Sequence, residues 1–254
     1  MPEPRILFID IETFPNVSYT WGKYDQNVID FKQESCIATY AAKWLGEKEV
    51  FAKALPDFKG YKPGSYNDRL LVEDIRNLLS AADIVVAHNG DAFDFKVINS
   101  RFIFYKITPP APYKTIDTKK MAKDVARFNS NKLDDLARYF GEGRKIDTTF
   151  KLWLDCIAGD EKAWAKMVAY NKHDVRLLEK VYLRLRPFSR QHPNIGAFQN
   201  KPSCPRCGGS HIEWRGYSIT TTRKYKRFQC RECGGWGRAT IESERVTTNT
   251  LAIH

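Results

Sequence analysis

The sequence predicts an α/β protein, with a mixed sheet flanked by helices followed by a small β module closed by cysteines. Three observations predict it. An apolar run ends in two acids near the N-terminus, strand-like and helix-like segments then alternate as far as residue 187, and four cysteines stand in two close pairs near the C-terminus. The 254 residues are 43% hydrophobic and 28% charged, which is enough apolar material for a core and excludes a wholly disordered chain.

The run Arg5-Ile-Leu-Phe-Ile-Asp10 is continuously apolar before it turns acidic, as in a central strand covered on both faces. Residues 36–45 and 49–55, joined by Gly46-Glu47-Lys48, predict a hairpin in the same sheet, which makes the sheet mixed. Leu70, Leu71, Ile75, Leu78 and Leu79 recur at helical spacing, so a helix is expected from Asn67 to Ser80 with Asn67 or Asp68 as its cap. A short strand from Asp83 to Ala87 runs into the turn His88-Asn89-Gly90, and a helix follows from about Ala92 to Tyr105. Ile116-Asp117-Thr118 begins a further element. Ser130 opens a helix that carries Leu133, Leu136, Ala137 and Phe140 and stops at Gly141. A last long helix spans Glu161 to Arg186.

Pro187, Pro193 and Pro202 punctuate a segment with little periodicity. The expected organisation is therefore a first domain over 1–187, a linker over 188–202, a cysteine module over 203–246 and a tail over 247–254. No apolar stretch approaches the roughly 18 residues that cross a bilayer, so no membrane partner is expected. The N-terminus carries Glu3 and Asp10 where a signal peptide is uninterrupted, which gives a cytoplasmic expectation. The net charge is +11, and +6 of it falls within residues 201–254, which makes a polyanionic partner worth testing.

Asp10 and Glu12 lie two apart at a strand end, so they point into a common volume where a divalent cation would offset their repulsion. The alternative is a pair of solvated charges at a strand edge. Asp94 sits in the first turn of the helix after His88-Asn89-Gly90. A capping box with Asp91 accounts for it equally well. Sites in open α/β sheets nevertheless gather beyond the carboxyl ends of strands, where Asp10, Glu12 and this turn should lie. On the last helix Tyr170 and Asp174 share the stripe of Leu177, Leu178, Val181 and Leu185, where an ionised carboxylate needs a metal or a hydrogen-bonding partner.

Asp10-Ile-Glu12, Asn89-x-x-x-Phe93-Asp94 and Tyr170-x-x-x-Asp174 resemble, in order and in predicted position, the three exonuclease motifs of the DEDD superfamily. These are proofreading-type 3′→5′ exonucleases with a ribonuclease H-like fold. The superfamily divides on a tyrosine four residues, or a histidine five residues, before the last aspartate. Here those positions hold Tyr170 and Ala169, which resembles the tyrosine branch that includes the exonuclease domains of family B DNA polymerases. The stretch from Ser130 to Gly143 adds a similarity to the helix between the second and third motifs of those domains. A short exonuclease with a cysteine tail is also similar to nucleases encoded by bacteriophages, which would place it in the host cytoplasm.

The resemblance implies that Asp10, Glu12, Asp94 and Asp174 hold two Mg²⁺ or Mn²⁺ ions and that Tyr170 positions the attacking water. The products implied are nucleoside 5′-monophosphates from a 3′ end, with DNA favoured as substrate, although no residue identifies the sugar. Phe14 and Phe93 flank the acids and can stack on terminal bases, with core packing as the alternative for Phe14. Asn89 can hydrogen-bond the terminal nucleotide, or serve only its Asn-Gly turn. Lys145 can reach a phosphate or stand solvated.

Cys204-Pro-Arg-Cys207 and Cys230-Arg-Glu-Cys233 form a zinc-ribbon signature, two Cys-x₂-Cys pairs with 22 residues between them and glycine pairs behind each. Four cysteines close a tetrahedral shell, so the expected Zn²⁺ is structural. Trp214, Tyr217, Tyr225, Phe228 and Trp236 interleave with arginines and lysines, a mixture suited to nucleic acid or, alternatively, to a small core with solvated charges. Two functions are thereby distinguished. The first is a metal-dependent 3′→5′ exonuclease, and the second is a non-catalytic nucleic-acid-binding adaptor that uses the ribbon on a nuclease-like scaffold.

Overall fold

The computed structural model describes residues 3–24, 27–221 and 223–239. The expected tail, and the expected last residues of the cysteine module, lie outside them. The described chain divides into two compact units: one holds Arg5–Lys123 and Arg127–Val181, and the other holds the described residues of 1–4, 124–126 and 182–239.

The first unit is built on a five-stranded sheet. Its strands are β1 (Ile6–Thr13), β4 (Ile37–Trp44), β5 (Phe51–Ala54), β6 (Ile84–Ala87) and β7 (Lys114–Asp117), in the order β5-β4-β1-β6-β7. β1 is antiparallel to β4 and parallel to β6, so the sheet is mixed and β1 is central. Ile6 to Ile9 are all at most 3% exposed, because a strand covered on both faces has no side that tolerates a polar residue. Between β1 and β4 the chain adds a two-stranded hairpin, β2 (Val17–Tyr19) with β3 (Asp30–Gln33).

The described α-helices are α1 (Arg69–Ser80), α2 (Asp94–Tyr105), α3 (Thr118–Val125), α4 (Leu133–Tyr139), α5 (Phe150–Ala158) and α6 (Glu161–Leu185). α1 buries Leu71, Val72, Ile75 and Leu79, the stripe its spacing predicts. Asp68 occupies its N-cap position, as one of the two expectations has it, but its side chain makes no capping bond. Asn67 accepts the Arg69 N–H at 3.2 Å, whereas the buried Asp68 turns away to the Ile37 N–H at 2.8 Å and to the Arg101 guanidinium. α2 begins two residues later than expected, after a turn in which Asn89 takes φ +65°, a conformation asparagine tolerates.

In the second unit β8 (Ile212–Ile219), β9 (Lys224–Cys230) and β10 (Trp236–Arg238) form an antiparallel sheet in the order β10-β9-β8. Residues 188–202 are more than a spacer. They contain a 3₁₀ turn at Ile195–Phe198, Ile195 is buried and donates its N–H to the Pro205 carbonyl at 2.8 Å, and Arg206 donates to the Ser189 carbonyl at 2.6 Å. Proline spacing without apolar periodicity cannot reveal such irregular packing. None of the described helices is long and apolar enough to cross a membrane.

Candidate active site

β1 ends where the sheet's parallel half meets its antiparallel half. Asp10 pairs with Ala41 and Glu12 with Thr39, and the register shifts just beyond Glu12. The pleat puts both carboxylates on one side, as their spacing predicts. α6 brings Asp174 to the same place. Oxygens of Asp10, Glu12 and Asp174 all lie within 4.8 Å of one another.

Asp94 joins this group from the first turn of α2, outside that innermost triple. Its Oδ1 accepts the N–H of Ile11, the residue between the two β1 acids, at 3.2 Å. The capping-box alternative is not realised, since Asp91 instead pairs with Lys120 at 2.8 Å. The electrostatics follow from crowding acids in a dry place. Burial, then Asp94, Glu12 and Asp174, holds Asp10 well above the usual carboxylate range. Burial and Asp174 push Glu12 up to about 8, and burial pushes Asp94 up to about 7. Asp174 is also raised by burial, against the opposing pull of Lys145.

Two residues outside the expected set complete the arrangement. Asn171 is fully buried on α6, and its Nδ2 donates to Asp10 at 2.6 Å from Oδ2 and 3.2 Å from the carbonyl. A polar residue three positions before Asp174 on a buried stripe was the signal available for it. Lys145 forms an ion pair with Asp174, and its Nζ is 3.4 Å from the Tyr170 hydroxyl. Its backbone is pinned from two sides: the Lys145 N–H donates to Asp134 on α4 at 2.7 Å, and the Arg144 carbonyl meets His173 Nε2 at 2.6 Å. That is the structural use of the segment after Ser130 and of His173. Spacing alone could not separate this lysine from a solvated one.

Tyr170 is 9% exposed and its hydroxyl is raised by burial, then by Asp174 and Glu12. Phe93 is 41% exposed at the head of α2. Phe14, in contrast, is 1% exposed and packs against Tyr66 and Trp164 with ring centroids at 5.4 and 5.6 Å, which removes its face from any stacking partner. Asn89 is held within its own turn, where its N–H donates to Asp117 at 2.9 Å and its Oδ1 accepts from Lys119 at 3.1 Å. His88 bridges Thr118 at 2.9 Å and the Asn131 carbonyl at 3.0 Å, and burial lowers it to about 4.

The donor set fits divalent cations. It is all oxygen, its acids resist ionisation until a positive charge arrives, and the buried Oδ1 of Asp174 has no hydrogen-bond partner among the described residues. The four cysteines form a second group, their sulfurs all within 4.8 Å of one another. Cys204 and Cys233 are 3.7 Å apart and Cys207 and Cys230 are 3.6 Å apart, close to the ~3.8 Å edge of a tetrahedron with 2.3 Å metal–sulfur bonds. The Gly209 N–H reaches Cys207 Sγ at 3.4 Å, the close amide approach that the glycine pair permits.

The family described as the RNase_H superfamily (RNase_H_2) matches residues 7–186. No curated protein sequence matches this one significantly. Among solved structures, the family B DNA polymerase of the hyperthermophilic archaeon Pyrobaculum calidifontis is similar in fold. The TM-score is 0.53 at 15% identity, over 74% of this chain and 26% of the polymerase. The chain therefore spans about a quarter of that polymerase's length, and at this identity the likeness is one of fold alone.

Proposed function

The chain belongs to the RNase H superfamily, and we propose that within it this protein is a metal-dependent 3′→5′ exonuclease of the tyrosine-branch DEDD type, acting on DNA and releasing nucleoside 5′-monophosphates. One observation carries the reading. Three carboxylates from strand and helix, 164 residues apart in sequence at the extremes, present oxygens within 4.8 Å of one another beside a buried tyrosine.

Asp10, Glu12 and Asp174, with Asp94 behind them, would hold two Mg²⁺ or Mn²⁺ ions. When bound, such ions supply the charge that eases hydroxide formation and stabilises the leaving 3′ oxygen of an in-line displacement at phosphorus. The chain's own residues do the remaining work. Asn171 fixes Asp10 so that its free lone pairs face the cluster. The Tyr170 hydroxyl stays protonated and orients the attacking water. Lys145, with its charge already drawn into the cluster by Asp174, neutralises phosphate negative charge next to it. Phe93 offers a ring at the rim for the terminal base. Zn²⁺ fits the cysteine group as a structural ion, since four thiolates leave no position open for chemistry.

The test is degradation of matched 5′-labelled DNA and RNA, as single strands and duplexes, with Mg²⁺, Mn²⁺ or EDTA. Stepwise shortening from the 3′ end of DNA, dependent on added metal and abolished by Asp10→Ala and by Asp174→Ala while binding survives, is the expected result. Variants that degrade as fast as wild type would exclude the catalytic assignment. A wild type that binds and never cleaves would establish the adaptor instead.

A further inference from the structure

The two faces of the ribbon sheet differ in kind. Pairing sets Trp214 opposite Phe228 and Gly237 opposite Phe228 from the other side, so these three share a face. On that face Phe228 is covered by its neighbours, while Trp214 keeps 50% of its surface exposed. Phe228 is 6% exposed, its ring meets Trp214 at 5.7 Å, and a Cβ at Gly237 would lie 2.4 Å from it.

The other face carries Tyr225, Arg227, Arg238 and Trp236, which alternation along β9 and β10 puts together. Rings and cations interleave on it. The Arg227 guanidinium lies 5.0 Å from the Trp236 centroid, and that of Arg238 lies 4.2 Å from the Tyr225 centroid. Arg227, Arg238 and Trp236 are exposed. Glu213 is taken by Arg215 and Arg231, and among the described residues neither Arg227 nor Arg238 meets a carboxylate.

Arg227 and Arg238 are moreover direct cross-strand partners. Like charges placed opposite one another destabilise a ladder, and an anion between them turns that repulsion into attraction. Trp236 also borders a hollow of about 660 Å³, shared with Phe188, Arg190 and Arg206, a volume within the range of small-ligand sites. The hollow adds a second aromatic and two further cations to the same end of the sheet.

We propose that this open face binds single-stranded nucleic acid, with backbone phosphates at Arg227 and Arg238 and an unpaired base stacked on Trp236. Duplex is disfavoured because paired bases withhold their faces from the ring. The proposal does not rest on the exonuclease reading, since every residue it uses lies in the second unit.

The test is fluorescence anisotropy of a 5′-labelled oligothymidylate with the full-length, zinc-loaded chain and no added Mg²⁺, across a salt series. Arg227→Gln with Arg238→Gln should weaken binding and lower the log–log salt slope by about 1.4, two phosphate contacts at roughly 0.7 each. Trp236→Ala should weaken binding roughly five- to hundredfold with the slope unchanged, and Trp236→Phe should restore much of it. One zinc per chain in each variant certifies the ribbon. Wild-type affinity and slope in the double arginine variant would overturn the proposal. So would heparin competing as well as the oligonucleotide with no effect of Trp236→Ala, which would indicate bare charge attraction. A chain that binds in this way yet degrades nothing would overturn the exonuclease reading and leave this one standing.

Discussion

Asp10 is surrounded by Asp94, Glu12 and Asp174, each of which opposes its ionisation. In the first compact unit without bound Mg²⁺ this gives the acids' contribution to stability a definite sign against pH. Glu12 titrates at about 8 and Asp94 at about 7 when folded, whereas unfolded carboxylates release their protons near 4. Between pH 6.5 and 8.5 the folded chain therefore binds protons that the unfolded chain does not. Stability falls as pH rises through the folded values. His88, lowered to about 4, is neutral in both states over most of this window and does not alter the sign. Without Mg²⁺ the unfolding transition of the first unit should lie lower at pH 8.5 than at pH 6.5, and saturating Mg²⁺ should reverse that order, because bound metal replaces the protons. A Mg²⁺-free transition of that unit that rises over this window would show that the acids are not crowded as described. Asn171 gives a second check at this scale. Asn171→Ala removes the 2.6 Å bond to Asp10, and loss of a hydrogen-bonding partner to a metal ligand costs about 10–100-fold in metal affinity or activity. The Mg²⁺ concentration for half-maximal degradation should rise by that order.

The turn between β6 and α2 is the element that delivers Asp94, and Gly90 is its tightest point. A Cβ there would lie 2.4 Å from the Ala87 Cβ and 3.0 Å from the Phe95 ring, while the Gly90 carbonyl accepts the Phe95 N–H at 3.0 Å. Gly90→Ala should cost about 1–3 kcal/mol as an overpacked contact. It should also raise the Mg²⁺ requirement, because Asp94 moves with the head of α2. Thermal unfolding and a Mg²⁺ titration of the same variant separate the two effects, and an unchanged titration would detach Asp94 from the metal. This turn was legible in the sequence because an apolar strand, an Asn-Gly pair and a helical spacing follow in series. β1 and the β4–β5 hairpin were legible from their apolar runs, buried almost continuously in β1 and β4, and α1 and α6 from apolar residues at helical spacing. Other elements left no such trace. Val17, Tyr19 and Phe31 of the β2–β3 hairpin are 39%, 56% and 45% exposed, so no buried face imposes alternation there. α3 buries only Thr118, Met121 and Ala122 in a lysine-rich stretch, and α5 buries only Leu152 and Cys156. The site was legible in its acids, which strand and helix periods aim inward. Lys145 was not, because a loop pinned by Asp134 and His173 has no period to read.

At the scale of the whole molecule, the acids, Tyr170, Asn171 and Lys145 all belong to the first compact unit, and the four cysteines belong to the second. The second unit has few described residues below 9% exposure, among them Cys204, Cys230, Phe228 and Ile195. Apolar burial of that extent does not hold a module of this size, so ion binding must supply much of its folding free energy. The cysteine chemistry is consistent with that dependence. Contacts with Cys207 and Cys233 lower the Cys204 thiol, while contacts with Cys204 and Cys233 raise Cys207, so without an ion the four sulfurs are not equivalent. Four thiolates around Zn²⁺ remove that asymmetry. Cys207→Ser with Cys230→Ser should accordingly take the bound zinc from one ion per chain to none. It should abolish the near-ultraviolet circular dichroism of the ribbon's tryptophans and weaken binding of long single strands. The Mg²⁺-dependent release of mononucleotides from a short oligonucleotide should persist, since no ligand of the acidic cluster is touched. Metal analysis, circular dichroism and the two binding lengths decide the matter together. Loss of Mg²⁺-dependent cleavage on the short substrate would show that the cysteine module is required for the chemistry itself.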